Sequence, residues 1–280
     1  DYGRMGLLVR ADCLIEKYGL EPLSALGNTP LHFACTTSAR PFLAMHLIER
    51  GAAVTHRNSF GQSPLHVAAA HMPAAVVELL ISRCPTRVNM RDEDGCSPLH
   101  WASQQSPFRV EVVSVLLRAG ADPMMSDASG DTPIHYAARD GDIELYDKLL
   151  VACGGRMVFN SRGLTPLHVA VEMDEVEFVK AYLDKYGTTN LPCSRNNGST
   201  VLHVAARNGC LATAALLVGS VGALINAEDK HGQSAFTVAV ANRNVAVARL
   251  LVMSGAEPAA TCAAILDYVV QATREERKSK

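Results

Sequence analysis

Gly61-Gln62-Ser63-Pro64-Leu65-His66 decides how this chain folds, because the phrase returns along the sequence. It recurs as Gly27-Asn28-Thr29-Pro30-Leu31-His32, Gly95-Cys96-Ser97-Pro98-Leu99-His100 and Gly130-Asp131-Thr132-Pro133-Ile134-His135. Further copies are Gly163-Leu164-Thr165-Pro166-Leu167-His168, Gly198-Ser199-Thr200-Val201-Leu202-His203 and a decayed Gly232-Gln233-Ser234-Ala235-Phe236-Thr237. From Gly27 onward the glycines lie 34, 34, 35, 33, 35 and 34 residues apart. A period of that size marks stacked units, each too small to bury a core alone.

Every position in the phrase has a physical role. Glycine permits the positive φ of a tight turn. Ser or Thr caps a helix with its hydroxyl, and Pro follows at the first helical position, where it has no amide donor to waste. Leu then points into the core. Small residues after the histidine, as in Val67-Ala68-Ala69 and Val204-Ala205-Ala206, let two helices approach closely. A second helix carries the apolar pairs Leu79-Leu80, Leu116-Leu117 and Leu250-Leu251. Gly51, Gly120 and Gly255 fall just after it, where a left-handed cap is wanted. The predicted unit is helix, turn, helix, then a short extended hairpin reaching the next glycine.

The Thr-Pro-Leu-His phrase, the alanine pairs and closings such as Arg118-Ala119-Gly120-Ala121-Asp122-Pro123 resemble the ankyrin repeat over nearly the whole chain. The resemblance implies an all-α fold, an ankyrin-repeat solenoid of stacked helix-turn-helix units with short β-hairpin loops. The expected organisation is a degenerate N-terminal capping repeat at 1–26 and seven repeats at 27–60, 61–94, 95–129, 130–162, 163–197, 198–231 and 232–258. A C-terminal capping helix, reading from Ala259 to Gln271, and a basic tail follow over 259–280. Decay of the phrase at both ends suits units that must show a solvated outer face.

Composition narrows the function. Hydrophobic residues at 48% and charged residues at 19% exclude a largely disordered chain. The formal net charge of −2 argues against general nucleic-acid binding, which needs a basic excess. The eight cysteines (Cys13, Cys35, Cys84, Cys96, Cys153, Cys193, Cys210 and Cys262) form no C-x-x-C pair and follow no zinc spacing. They read as buried or semi-buried thiols of a reducing compartment, so an intracellular, cytoplasmic location is expected. No segment reads as a secretion signal, and Leu211 to Ile225, though uncharged, is too short to cross a bilayer. The start at Asp1 without an initiator Met leads us to expect a fragment of a longer protein.

Ten histidines invite a metal or acid–base reading, but six of them, His32, His66, His100, His135, His168 and His203, share one motif position. Histidines locked to the repeat form a ladder rather than a cluster around one ion, and each is expected to tie a helix start to a hairpin. Cys96, beside a turn glycine, is expected to be exposed and open to electrophiles. Trp101 is expected to pack between repeats. The motifs of hydrolases, zinc proteases, phosphate loops and dinucleotide folds are missing from the sequence. The chain therefore reads as a non-enzyme without cofactor, metal or small-molecule substrate.

Function is expected where the fold leaves residues unconstrained, on either side of the motif glycine and after the alanine pair. The resemblance implies that these line a concave binding surface. The residues are Phe60, Gln62, His71, Glu93, Asp94, Gln104, Gln105, Asp131, Arg139, Arg162, Leu164, Glu172, Asn196, Asn197, Arg207, Lys230 and His231. Phe60 and Leu164 stand out as large apolar residues there. Phe60 is either an interface anchor or packs on the next hairpin. Early tips carry Asp92, Glu93, Asp94, Asp127 and Asp131, and later ones carry Arg162, Arg195, Arg207, Lys230 and Arg243. That order is either a field that orients a partner or ordinary surface charge. The expected partner of this monomeric chain is a protein or peptide segment, bound by a scaffold or adaptor. The alternative is the substrate-recruiting or regulatory arm of a larger enzyme.

Overall fold

The structure, a computed structural model, describes residues 8–13, 15–16, 19, 24–39, 41–104, 108–187, 191–220 and 225–257. Gln105, Cys262 and the helix and tail expected over 259–280 lie outside the described residues. The helices come in pairs, each first helix opening on the Pro or Val that follows the capping Ser or Thr, or on Ala235 in the decayed copy. The pairs are α1 (Pro30–Ala34) with α2 (Pro41–Glu49), α3 (Pro64–His71) with α4 (Ala74–Arg83), and α5 (Pro98–Ala102) with α6 (Arg109–Arg118). They continue as α7 (Pro133–Arg139) with α8 (Ile143–Ala152), and α9 (Pro166–Glu172) with α10 (Val176–Tyr186). The last are α11 (Val201–Asn208) with α12 (Leu211–Ser220), and α13 (Ala235–Ala241) with α14 (Val245–Met253).

The chain divides into two compact units, residues 1–136 with 144–156, and residues 137–143 with 157–280. In unit one the first helices α1, α3 and α5 pack on one another in chain order, and so do the second helices α2, α4 and α6. Leu31, Leu99, Ala68 and Ala102 are buried along the first row, and Val76, Val112 and Leu116 along the second. Alanine on the first helices removes the bulk that would hold neighbouring rows apart. Ahead of the first pair, residues 8–13 and 15–16 are helical, and Asp12 meets His46 at 2.8 Å and Arg50 at 3.5 Å.

Unit two repeats the arrangement, α9, α11 and α13 forming one row and α10, α12 and α14 the other. Leu167, Ala170, Leu202, Ala206 and Phe236 are buried on the first row, and Phe178, Leu217, Val247 and Leu251 on the second. Its loops between paired helices need a left-handed residue. Glycine supplies it at Gly141 and Gly209, while Asp174 (φ 58°) and Arg243 (φ 61°) adopt it without that freedom.

The connecting hairpins are tighter than the β-hairpins expected. Among the described residues the one bridge of strand type joins Glu228 and Ser234. From Gly61 onward each turn instead closes on two main-chain bonds, such as Asn58 N–H to the Gln62 carbonyl at 3.0 Å and Gly61 N–H to that of Asn58 at 2.9 Å. The chain enters the helix cap at once after these bonds, leaving no length for a ladder.

Candidate functional site

The motif histidines are consumed by the fold. In all six copies the Thr or Ser amide donates to histidine Nδ1, and the hydroxyl lies 2.8–2.9 Å from the same atom. An Nδ1 that accepts an N–H carries no proton, so the hydrogen sits on Nε2. In unit one Nε2 of His32 donates to the Gln62 carbonyl (3.0 Å), that of His66 to Met90 (3.0 Å) and Cys96 (3.2 Å), and that of His100 to Asp131 (3.1 Å). In unit two His168 reaches the Ser199 carbonyl (3.0 Å) and His203 that of Gln233 (2.8 Å). Burial pushes the His66 and His168 pKa values down to about 4, with the carbonyl bonds opposing part of the shift. Such histidines are neutral struts from each copy to the next.

A second set of side chains holds the turns. Oδ1 of Asn58, Asp127, Asn160 and Asp229 each accepts two amides across its own hairpin. Asp92 takes the Cys96 amide on one oxygen and Trp101 Nε1 on the other, at 2.8 and 2.9 Å. Tyr136, at the same register as Trp101, donates to Asp127 at 2.7 Å. Trp101 lies edge-on to His66 at 6.5 Å, and Tyr136 to His100 at 5.6 Å, so this position packs between copies. Phe33 shares the register but is half-exposed, since the residues before Gly27 carry no motif histidine to meet it.

Successive turns are also joined by main-chain rungs. In unit one Ser59 N–H donates to Leu26 O (2.9 Å), Glu93 to Phe60 (3.0 Å) and Ala128 to Asp94 (2.8 Å). In unit two Arg195 donates to Gly163 (2.8 Å) and Lys230 to Asn197 (2.9 Å). The glycine between the flanking residues has positive φ, which turns their side chains opposite ways. The preceding residue (Leu26, Phe60, Asp94, Ser129, Arg162, His231) is exposed, with Asn197 half-buried. The following residue turns inward at Cys96, Asp131, Leu164 and Ser199.

That geometry corrects several expectations. Leu164 is 7% exposed and Asp131 3%, so neither side chain can meet a partner as expected. Cys96 is 6% exposed, and burial pushes its thiol up to about 11, the opposite of a reactive cysteine. Cys13 and Cys193 are exposed, unlike the buried thiols expected. Asp92 and Asp127 are engaged in the turns, so Glu93 and Asp94 are the exposed members of the early acidic group.

The remaining candidates sort by occupation. Arg162 grips Glu172 through two 2.6 Å bonds. Lys230 Nζ spans the Arg195 and Asn196 carbonyls, and Asn197 accepts from Ser194 and Ser199. Gln62 accepts from Asn58, while Gln104 and Arg139 are half-buried. Phe60, His71, Glu93, Asp94, Asn196, Arg207 and His231 stand exposed. Leu26 was missed, although it lies one period before Phe60. No group of three or more His, Cys, Asp or Glu that could hold a metal ion occurs among the described residues, and no described helix is long and apolar enough to cross a membrane.

Rows of capped helix pairs strutted by histidine define a helical repeat protein. A family model described as ankyrin repeats (3 copies) matches residues 38–127, 109–192 and 179–262, and the chain belongs to that family, with its all-α solenoid fold. No individual curated protein matches the chain. Ankyrin repeats are generally protein-interaction modules and are typically non-catalytic.

Proposed function

We propose that this chain is a scaffold or adaptor that recognises a partner protein along the exposed edges of its turns. One observation supports this most. At Leu26, Phe60 and Asp94 the residue before the motif glycine is held by a main-chain rung while its side chain stands exposed, and its chemistry changes from copy to copy. Helical repeat proteins use such surfaces for binding. Unit one offers apolar and acidic groups there, and unit two offers His231 there and Arg207 at the end of α11, which suits partner segments carrying the complement of each.

The test is proximity labelling in cells with wild type and with Arg207→Glu combined with His231→Glu. Both side chains are exposed, so thermal unfolding should not move, while the labelled partner set shrinks. An unchanged set from the charge-reversed protein would remove the basic edge from the reading.

A further inference from the structure

Seven residues share the position before the motif glycine, and five of them are polar: Asp94, Ser129, Arg162, Asn197 and His231. Leu26 and Phe60 are the exceptions. Both are 49% exposed, and the rung from Ser59 to the Leu26 carbonyl puts their turns side by side. The next rung, Glu93 to the Phe60 carbonyl, sets an exposed acidic pair, Glu93 and Asp94, directly against the apolar one. The basic side chains of these turns, though exposed, are committed to main-chain carbonyls. Arg57 bonds the Gly61 and Arg91 carbonyls, and Arg91 bonds those of Gly95 and Ser126.

We infer that Leu26, Phe60, Glu93 and Asp94 form one docking site for an extended peptide segment with an apolar side chain followed closely by lysine or arginine. This rests on the protein-recognition reading above and names its partner's chemistry. The apolar side chain covers Leu26 and Phe60, which water otherwise wets, and the basic group lies over the carboxylates. Phosphate-bearing partners, nucleic acid or an anionic membrane, are repelled by the same carboxylates. The rungs are main chain, so the site is present before the peptide arrives and little ordering opposes binding.

The experiment is selection of displayed random peptides, about twelve residues long, on the full chain, with affinities measured by fluorescence anisotropy. The enriched set should pair Leu, Ile, Phe or Met with Lys or Arg a few residues away. Leu26→Ser with Phe60→Ser should weaken these peptides at least about tenfold. Glu93→Lys with Asp94→Lys should do the same and remove the salt dependence, with thermal unfolding unchanged in both variants. Enriched peptides that are acidic, or that bind the double-serine variant as well as wild type, overturn the site. If those peptides are instead lost on Arg207→Glu, the recognition reading stands while this site falls. If wild type enriches nothing, both fall.

Discussion

A histidine whose Nδ1 accepts an amide hydrogen has nowhere to put a second proton without breaking its cap. That makes His66 and His168 sensitive to acid. Both have folded pKa values near 4, below the ordinary 6.5. Between those values the unfolded chain binds more protons than the native one, so stability held above pH 6.5 is lost as pH falls toward 4. At pH 5 the loss is about 2 kcal/mol for each of the two, relative to pH 7.5. Urea unfolding at the two values should show it. His168→Gln, which cannot titrate, should be less stable at pH 7.5 yet show a flatter slope. A stability that holds constant down to pH 5 would contradict the assigned tautomer.

Turns and loops show where backbone shape outweighs side-chain chemistry. A Cβ on Gly163 would lie 2.8 Å from the Asn196 nitrogen, at φ +74°. Gly163→Ala should therefore cost at least about 2 kcal/mol in chemical denaturation, strain and close approach acting together. Arg243 sits in the left-handed region with an exposed side chain, so Arg243→Gly should stabilise by about 0.5–1 kcal/mol. The helix starts were legible because Ser or Thr, Pro and Leu act within one turn of chain. The tie of a motif histidine to a hairpin was legible too, but not the carbonyl that His32 reaches at Gln62 or the bond from Asn58 Nδ2 to Asn28 Oδ1, since these depend on where the neighbouring turn sits. Leu164 and Cys96 were misjudged for a related reason. Sequence shows that they flank a glycine, but not that its positive φ sends one neighbour outward and the other inward. Phe60 stands out in the sequence as a large apolar residue on a turn and is half-exposed, and Leu26 could have been found by stepping back one period.

Stability across a repeat protein is close to a sum of local terms and contacts between neighbours. In unit two the copies beginning at Gly163 and Gly198 each have a histidine strut, whereas the copy at Gly232 carries Thr237 in its place. Its cap is Ser234 accepting the Thr237 amide at 3.3 Å with the two hydroxyls 3.2 Å apart, and Thr237 has no imidazole to reach the next copy. Hydrogen exchange should therefore run faster in α13 and α14 than in α11, by about tenfold or more. Equal protection would mean that the strut contributes little to local stability.

The rungs between turns have one more consequence. They are made by carbonyls that every residue possesses and amides that every residue except proline possesses, so they place no demand on which side chain stands beside them. At Leu26, Phe60 or Asp94 a new amino acid can alter what the edge attracts while the bonds beneath it persist. Specificity can thus drift, or be rewritten by an engineer, one letter at a time without refolding the protein.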